Sequence, residues 1–125
     1  MPASFDYAIV RIVPRVEREE FMNAGVVLFC PEQRFLAAKV GLNQARLLAL
    51  APHIDLDLIR NRLNGVDAIC AGDPASGPVA NLNLRERFHW VVSPKSTILQ
   101  MSAVHTGTCE SAEAALKHLF NTLCL

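Results

Sequence analysis

The sequence predicts an α+β fold, a small, mainly antiparallel four-stranded sheet covered by several helices. Three observations predict it. Short apolar runs at 7–13, 25–30, 34–40 and 97–104 have the length of strands and are bounded by Pro, Gly and Asn. Apolar residues recur at spacings of three and four over 56–70 and again over 116–123, the mark of helices with one buried stripe. Finally, 125 residues with 51% hydrophobic and 19% charged content suit a packed chain, read here as one globular domain over 1–125.

Each element follows from its own residues. Over 7–13, Tyr7, Ile9, Arg11 and Val13 share one face and Ala8, Val10 and Ile12 the other, so the strand is apolar on both sides apart from Arg11. Pro14 stops it. Residues 15–24 are too many for a tight hairpin, and VEREEF carries helix formers, so a short helical turn or excursion is expected before Gly25. Gly25 can take backbone angles denied to other residues, which allows re-entry into the sheet or the close approach of another backbone. GVVLFC makes a second strand, Pro31-Glu32-Gln33 a short connection and RFLAAKV an antiparallel third.

Asn43 caps a helix that Pro52 ends, and Asp55 caps a second, with Leu56, Ile59, Leu63, Val66 and Cys70 inward. AGDPASGP at 71–78 is a surface loop. Asn83 followed by Glu86 opens a short helix burying Leu84, Phe88 and Val91. TILQMSAV at 97–104 alternates as a fourth strand, placed beside the first or third, and His105-Thr106-Gly107 turns the chain out of it. Ser111 and Glu113 start a final helix with Leu116, Leu119, Phe120 and Leu123 inward. With the other helices inserted between strands three and four, they are expected mainly on one face, leaving a sheet edge or the opposite face for a partner.

Composition narrows the function. Twelve Lys and Arg balance twelve Asp and Glu, so no global field directs the chain to nucleic acid or an anionic membrane. A neutral, apolar-leaning chain does favour self-association, hence a homodimer among the expected states. No run approaches the roughly 20 apolar residues of a spanning helix, and the amino terminus has no basic leader. Cys30, Cys70, Cys109 and Cys124 are scattered without a CxxC, which suits a reducing compartment and points to the cytoplasm.

Two stretches, YAIVRIVPRVEREEFMNAGVVLFCPEQRFLAAK and RFHWVVSPKSTILQMSAVHTG, together with ICAG at 69–72 and AALKHLF in the last helix, resemble the bacterial domain of unknown function family 3037. The resemblance spans nearly the whole chain. It implies a small bacterial protein, some relatives of which are encoded beside a kinase-like protein, and so an accessory role with a kinase-like partner. It supplies no catalytic residue.

Several residues are candidates for a site. Glu17, Arg18, Glu20 and Asn23 concentrate polar chemistry between two strands and form the candidate interaction surface. Glu17 and Glu20, three apart, would share one side of a helical turn and could pair with Arg11. Two acids without a third are a poor cation site, and solvated surface is their plainer reading. Ser93-Pro94-Lys95-Ser96-Thr97 gathers hydroxyls and an ammonium at a strand entrance, where a phosphate could be held, although the glycine frame of a Walker motif is missing. His105 stands at a strand end, a position from which scaffolds display functional side chains. Arg11, Lys95, Ser96 and His105 are therefore the candidate ligand-binding set.

His105 and Cys109 have a spacing seen in metal ligands, with Cys30 a conceivable third, but no second close pair accompanies them and the cysteines read as structural. No GxSxG elbow or cofactor fingerprint is present, so the sequence points away from an enzyme and toward a protein-interaction module. The alternative is a small enzyme or sensor for an anionic or phosphorylated ligand, using Arg11, Lys95 and His105 together.

Overall fold

A strand that is apolar on both sides needs a cover on each side, and this requirement organises the molecule. The computed structural model describes residues 2–94 and 97–125. β1 (Ala3–Ile12) pairs antiparallel with β2 (Met22–Cys30), which pairs antiparallel with β3 (Phe35–Val40). On the other side of β1 lie two short strands, β4 (Leu99–Met101) against Val10–Ile12 and β5 (His105–Cys109) against Ala3–Tyr7. The sheet is mainly antiparallel, in the order β3-β2-β1-β4 with β5 also on β1. The α+β class expected from the sequence is the one found.

The continuous fourth strand expected over 97–104 is instead broken, and the stretch expected to turn away, His105-Thr106-Gly107, is itself strand. Ser102 is the reason. Its backbone N–H donates to the Ile9 carbonyl at 2.9 Å, and its Oγ accepts from the Ile9 N–H at 2.8 Å while donating to the Ala103 carbonyl at 2.9 Å. One buried serine thus satisfies both backbone groups of Ile9 on this side. The chain can then leave the ladder and join it again three residues later.

Four side-chain caps start the helices where the sequence places them. Asn43 accepts from the Arg46 amide to open α1 (Gln44–Leu50), and Asp55 from the Leu58 amide to open α2 (Leu56–Ala71). Asn83 accepts from the Glu86 amide at the start of α3 (Leu84–Val92), and Ser111 from the Ala114 amide at the start of α4 (Ala112–Cys124). Each such cap contributes about 1 kcal/mol. Among the described residues no helix is long and apolar enough to cross a membrane.

The three helices between β3 and β4 gather on one face as expected, but the opposite face is not left open. Val10, Ile12, Met22, Val27 and Phe29 pack against Leu47 of α1, Ile59 and Leu63 of α2, and Phe88 and Val91 of α3. Phe5, Val26, Leu28 and Cys30 point the other way, and Leu116, Phe120 and Cys124 of α4 cover them. The apolar second face explains the difference. Val26 and Leu28 are wholly buried, and leaving that face open would cost roughly 1.5–3 kcal/mol for each large side chain.

Two local features shape the end of the sheet that matters below. The β1–β2 register shifts after Val10, which pairs with Gly25, to Arg11, which pairs with Asn23, leaving Ala24 as the extra residue of a bulge. At Gly25 a Cβ would stand 2.9 Å from the Lys39 carbonyl oxygen, which is the close backbone approach anticipated for this glycine. The loop over 71–78 becomes two short 3-10 turns, Pro74–Ser76 and Pro78–Asn81. Arg87 pins it, donating from Nη1 to the Ala80 and Leu82 carbonyls at 3.3 and 3.4 Å and from Nη2 to the Cys70 carbonyl at 3.3 Å.

Candidate functional site

Pro14 closes β1 and the next seven residues never join the sheet, so the β1–β2 connection protrudes. Every residue from Arg15 to Phe21 is exposed. Val16–Arg18 forms a single 3-10 turn, ended by Glu19 in the left-handed conformation at φ 54°. Because the turn stops there, Glu17 and Glu20 do not share a helical side. Arg18 Nε pairs with the Glu20 carboxylate instead, and Glu17 stands in solvent.

One side of this excursion faces the α1–α2 loop across an open cleft of about 410 Å³. Pro14, Arg15, Arg18 and Glu20 line one wall, and Leu50 to Ile54, with His53 among them, line the other. His53 belongs to this lining. The cleft offers two guanidiniums, an imidazole and one carboxylate together with the apolar side chains of Leu50, Pro52 and Ile54, a set suited to binding.

The other side meets the carboxyl end of α4. Asn23 Nδ2 donates to the Leu123 carbonyl at 3.1 Å, tying β2 to the last turn of that helix. Arg11 lies between Asn23 on β2 and Gln100 on β4, and its guanidinium carbon stands 4.2 Å from the centroid of the Phe21 ring. Phe21 went unrecognised in the sequence. Its signal, a large aromatic among charged residues just before Asn-Ala-Gly, becomes meaningful only when the register brings Arg11 over it.

His105 occupies the opposite end of the same edge. It pairs with Tyr7, and the two rings lie 5.4 Å apart between centroids. Since Arg11 and Tyr7 are four residues apart on β1, His105 stands about 13 Å along the strand from Arg11. Thr97 Oγ1 donates to the Leu99 carbonyl at 2.7 Å. Lys95 and Ser96, the remaining members of the ligand-binding set, lie outside the described residues.

The cysteine readings sharpen in the fold. His105 and Cys109 bound β5, and an interval of four that brings ligands together on a helix separates them by about 13 Å on a strand. Among the described residues no group of three His, Cys, Asp or Glu side chains could hold a metal ion. Burial, reinforced by the nearby Asp67 carboxylate and opposed by Arg87, pushes the Cys70 thiol up to about 12. Cys109 is raised by desolvation and then by neighbouring Cys30, and Cys124 by burial against a lowering contact from the Gly25 backbone. Raised thiols are poor nucleophiles.

These features define a small α+β protein with a protruding β1–β2 connection flanked by a cleft and a stacked arginine. The chain belongs to the family described as Protein of unknown function (DUF3037), whose model matches residues 7–124. No curated protein and no solved structure matches it.

Proposed function

We propose that this protein is a cytoplasmic bacterial binding module that engages a protein partner through the Arg15–Phe21 excursion and the cleft beside it. One observation carries the reading. The excursion holds two large apolar residues, Val16 and Phe21, at 47% and 46% exposure among Arg and Glu side chains, while Leu58, Trp90, Val104 and Leu125 are exposed singly on other segments. Aromatic and arginine side chains together at a protruding surface are the usual anchors of protein interfaces. The exposed Leu50 on the opposite wall of the cleft extends the same surface.

A kinase-like protein is the candidate partner, a reading supported by the family resemblance. The anionic-ligand alternative ranks second, because it asks Arg11 and His105 to act in one pocket while their β1 neighbours are four residues apart. The test is calorimetric titration of a purified kinase-like protein of the kind encoded beside some relatives, with wild type and with Glu17→Lys, Glu20→Lys. The double variant breaks the Arg18–Glu20 pair and reverses two exposed charges. It should lose binding while unfolding stability stays within about 0.5 kcal/mol. Equal binding by both chains would remove the excursion as the interface.

A further inference from the structure

Arg11 is a cation without a counter-ion, set at the rim of a buried face. Among the described residues no Asp or Glu pairs with it, and its Nε is buried with no acceptor. Asn23, its neighbour across β2, spends its amide on the Leu123 carbonyl, while its Oδ1 is buried with no donor. Phe21 covers one face of the guanidinium at 4.2 Å, so only the edge carrying the two Nη groups remains for a ligand. A partly buried guanidinium without a carboxylate partner has much to gain from an anion.

We propose that Arg11, shelved on Phe21, is the receptor for a single carboxylate, presented by an Asp or Glu side chain of the protein partner. The inference rests on the interaction reading above and names the chemistry of its central contact. A planar carboxylate matches the free edge of the guanidinium through two parallel N–H···O bonds. The charge balance selects the same group. One carboxylate neutralises one arginine, whereas a phosphate dianion would add negative charge beside an excursion in which Glu17, Glu19 and Glu20 already outnumber Arg15 and Arg18. Asn23, anchored to α4, positions the β2 side of the receptor and keeps the arginine stem in place.

The test is an amide NMR titration of the 15N-labelled full chain with sodium acetate, with sodium chloride at matched ionic strength, and with sodium phosphate. Acetate should move the signals of Arg11, Phe21, Asn23 and Gln100 saturably, chloride should not, and phosphate should act more weakly. Arg11→Met should abolish the response, and Arg11→Lys, which lacks the fork, should retain a fraction of it. Phe21→Leu, a change at an exposed position, should weaken it and serves as the probe if Arg11→Met loses its dispersed spectrum. An acetate response equal to that of chloride, one that survives Arg11→Met, one unaltered by Phe21→Leu, or a larger response to phosphate would each overturn the assignment.

The partner titration separates the two readings. Arg11→Met should weaken partner binding by about tenfold or more, the usual effect of losing a charge-assisted pair. Full affinity in Arg11→Met, with binding lost in Glu17→Lys, Glu20→Lys, sinks the carboxylate receptor and leaves the interaction surface standing. Absence of partner binding by wild type, with the acetate response intact, removes the interaction reading and leaves Arg11 as a carboxylate site.

Discussion

Ser102→Ala removes one oxygen from the seam between β4 and β5, and its cost can be worked from the contacts. Two hydrogen bonds disappear, the one accepted from the Ile9 N–H at 2.8 Å and the one donated to the Ala103 carbonyl at 2.9 Å. Each is worth about 0.5–1.5 kcal/mol net, and the partly buried Ile9 amide is left without its acceptor, so a loss of about 2 kcal/mol is expected. For a chain of this size that corresponds to a Tm lower by roughly 6–10 °C, at an unchanged denaturant m-value. Calorimetry measures the first, and hydrogen exchange at the Ile9 amide should speed in parallel. Ser102→Cys, which keeps a side-chain acceptor but a weaker one, should fall between. A Tm loss below about 2 °C with Ile9 exchange unchanged would refute the view that this serine holds the broken strand on β1.

Other expected outcomes follow from single contacts. Gly25→Ala sets a Cβ against the Lys39 carbonyl and Val40, where overpacking costs about 1–3 kcal/mol; an unmoved urea midpoint would contradict the close approach. Arg87→Ala frees three carbonyls of the α2 end and the following loop, and should speed proteolysis between Gly72 and Leu82; Arg87→Lys should not rescue it, since an ammonium cannot reproduce the fork. Cys70 should resist thiol reagents in the native state, with its reaction rate following unfolding. Its folded pKa lies above the unfolded value, so the unfolded chain releases its proton first as pH rises. Stability from this thiol is complete below about pH 9 and declines toward pH 12, a slope that Cys70→Ala should remove from alkaline denaturation curves.

Local chemistry was legible wherever one residue determines one contact. Asn43, Asp55, Asn83 and Ser111 cap the helices because a short polar side chain beside an amide-rich turn needs nothing from the rest of the fold. The strands over 7–13, 25–30 and 34–40 were legible from continuous apolar runs, although β1 and β2 begin earlier than their patterns suggest. Alternation in TILQMSAV could not reveal the break at Ser102, because the serine bonds to Ile9, 93 positions away. The site divides in the same way. The charged excursion was visible as polar residues between two buried runs, while the Phe21 shelf, the His53 wall and the distance from Arg11 to His105 were not.

By itself, the sequence determined the α+β class, the helix starts and the protruding segment between the first two strands, since propensity, capping and hydrophobic period act over a few residues. Only the tertiary structure decided that α4 covers the second face, that β4 and β5 share the edge of β1, and that Arg11 stands over Phe21 with no Asp or Glu partner among the described residues. Those outcomes depend on register and layer packing, in which residues far apart in the chain must satisfy one another's backbone groups and apolar surface, and no local pattern encodes which of them will meet.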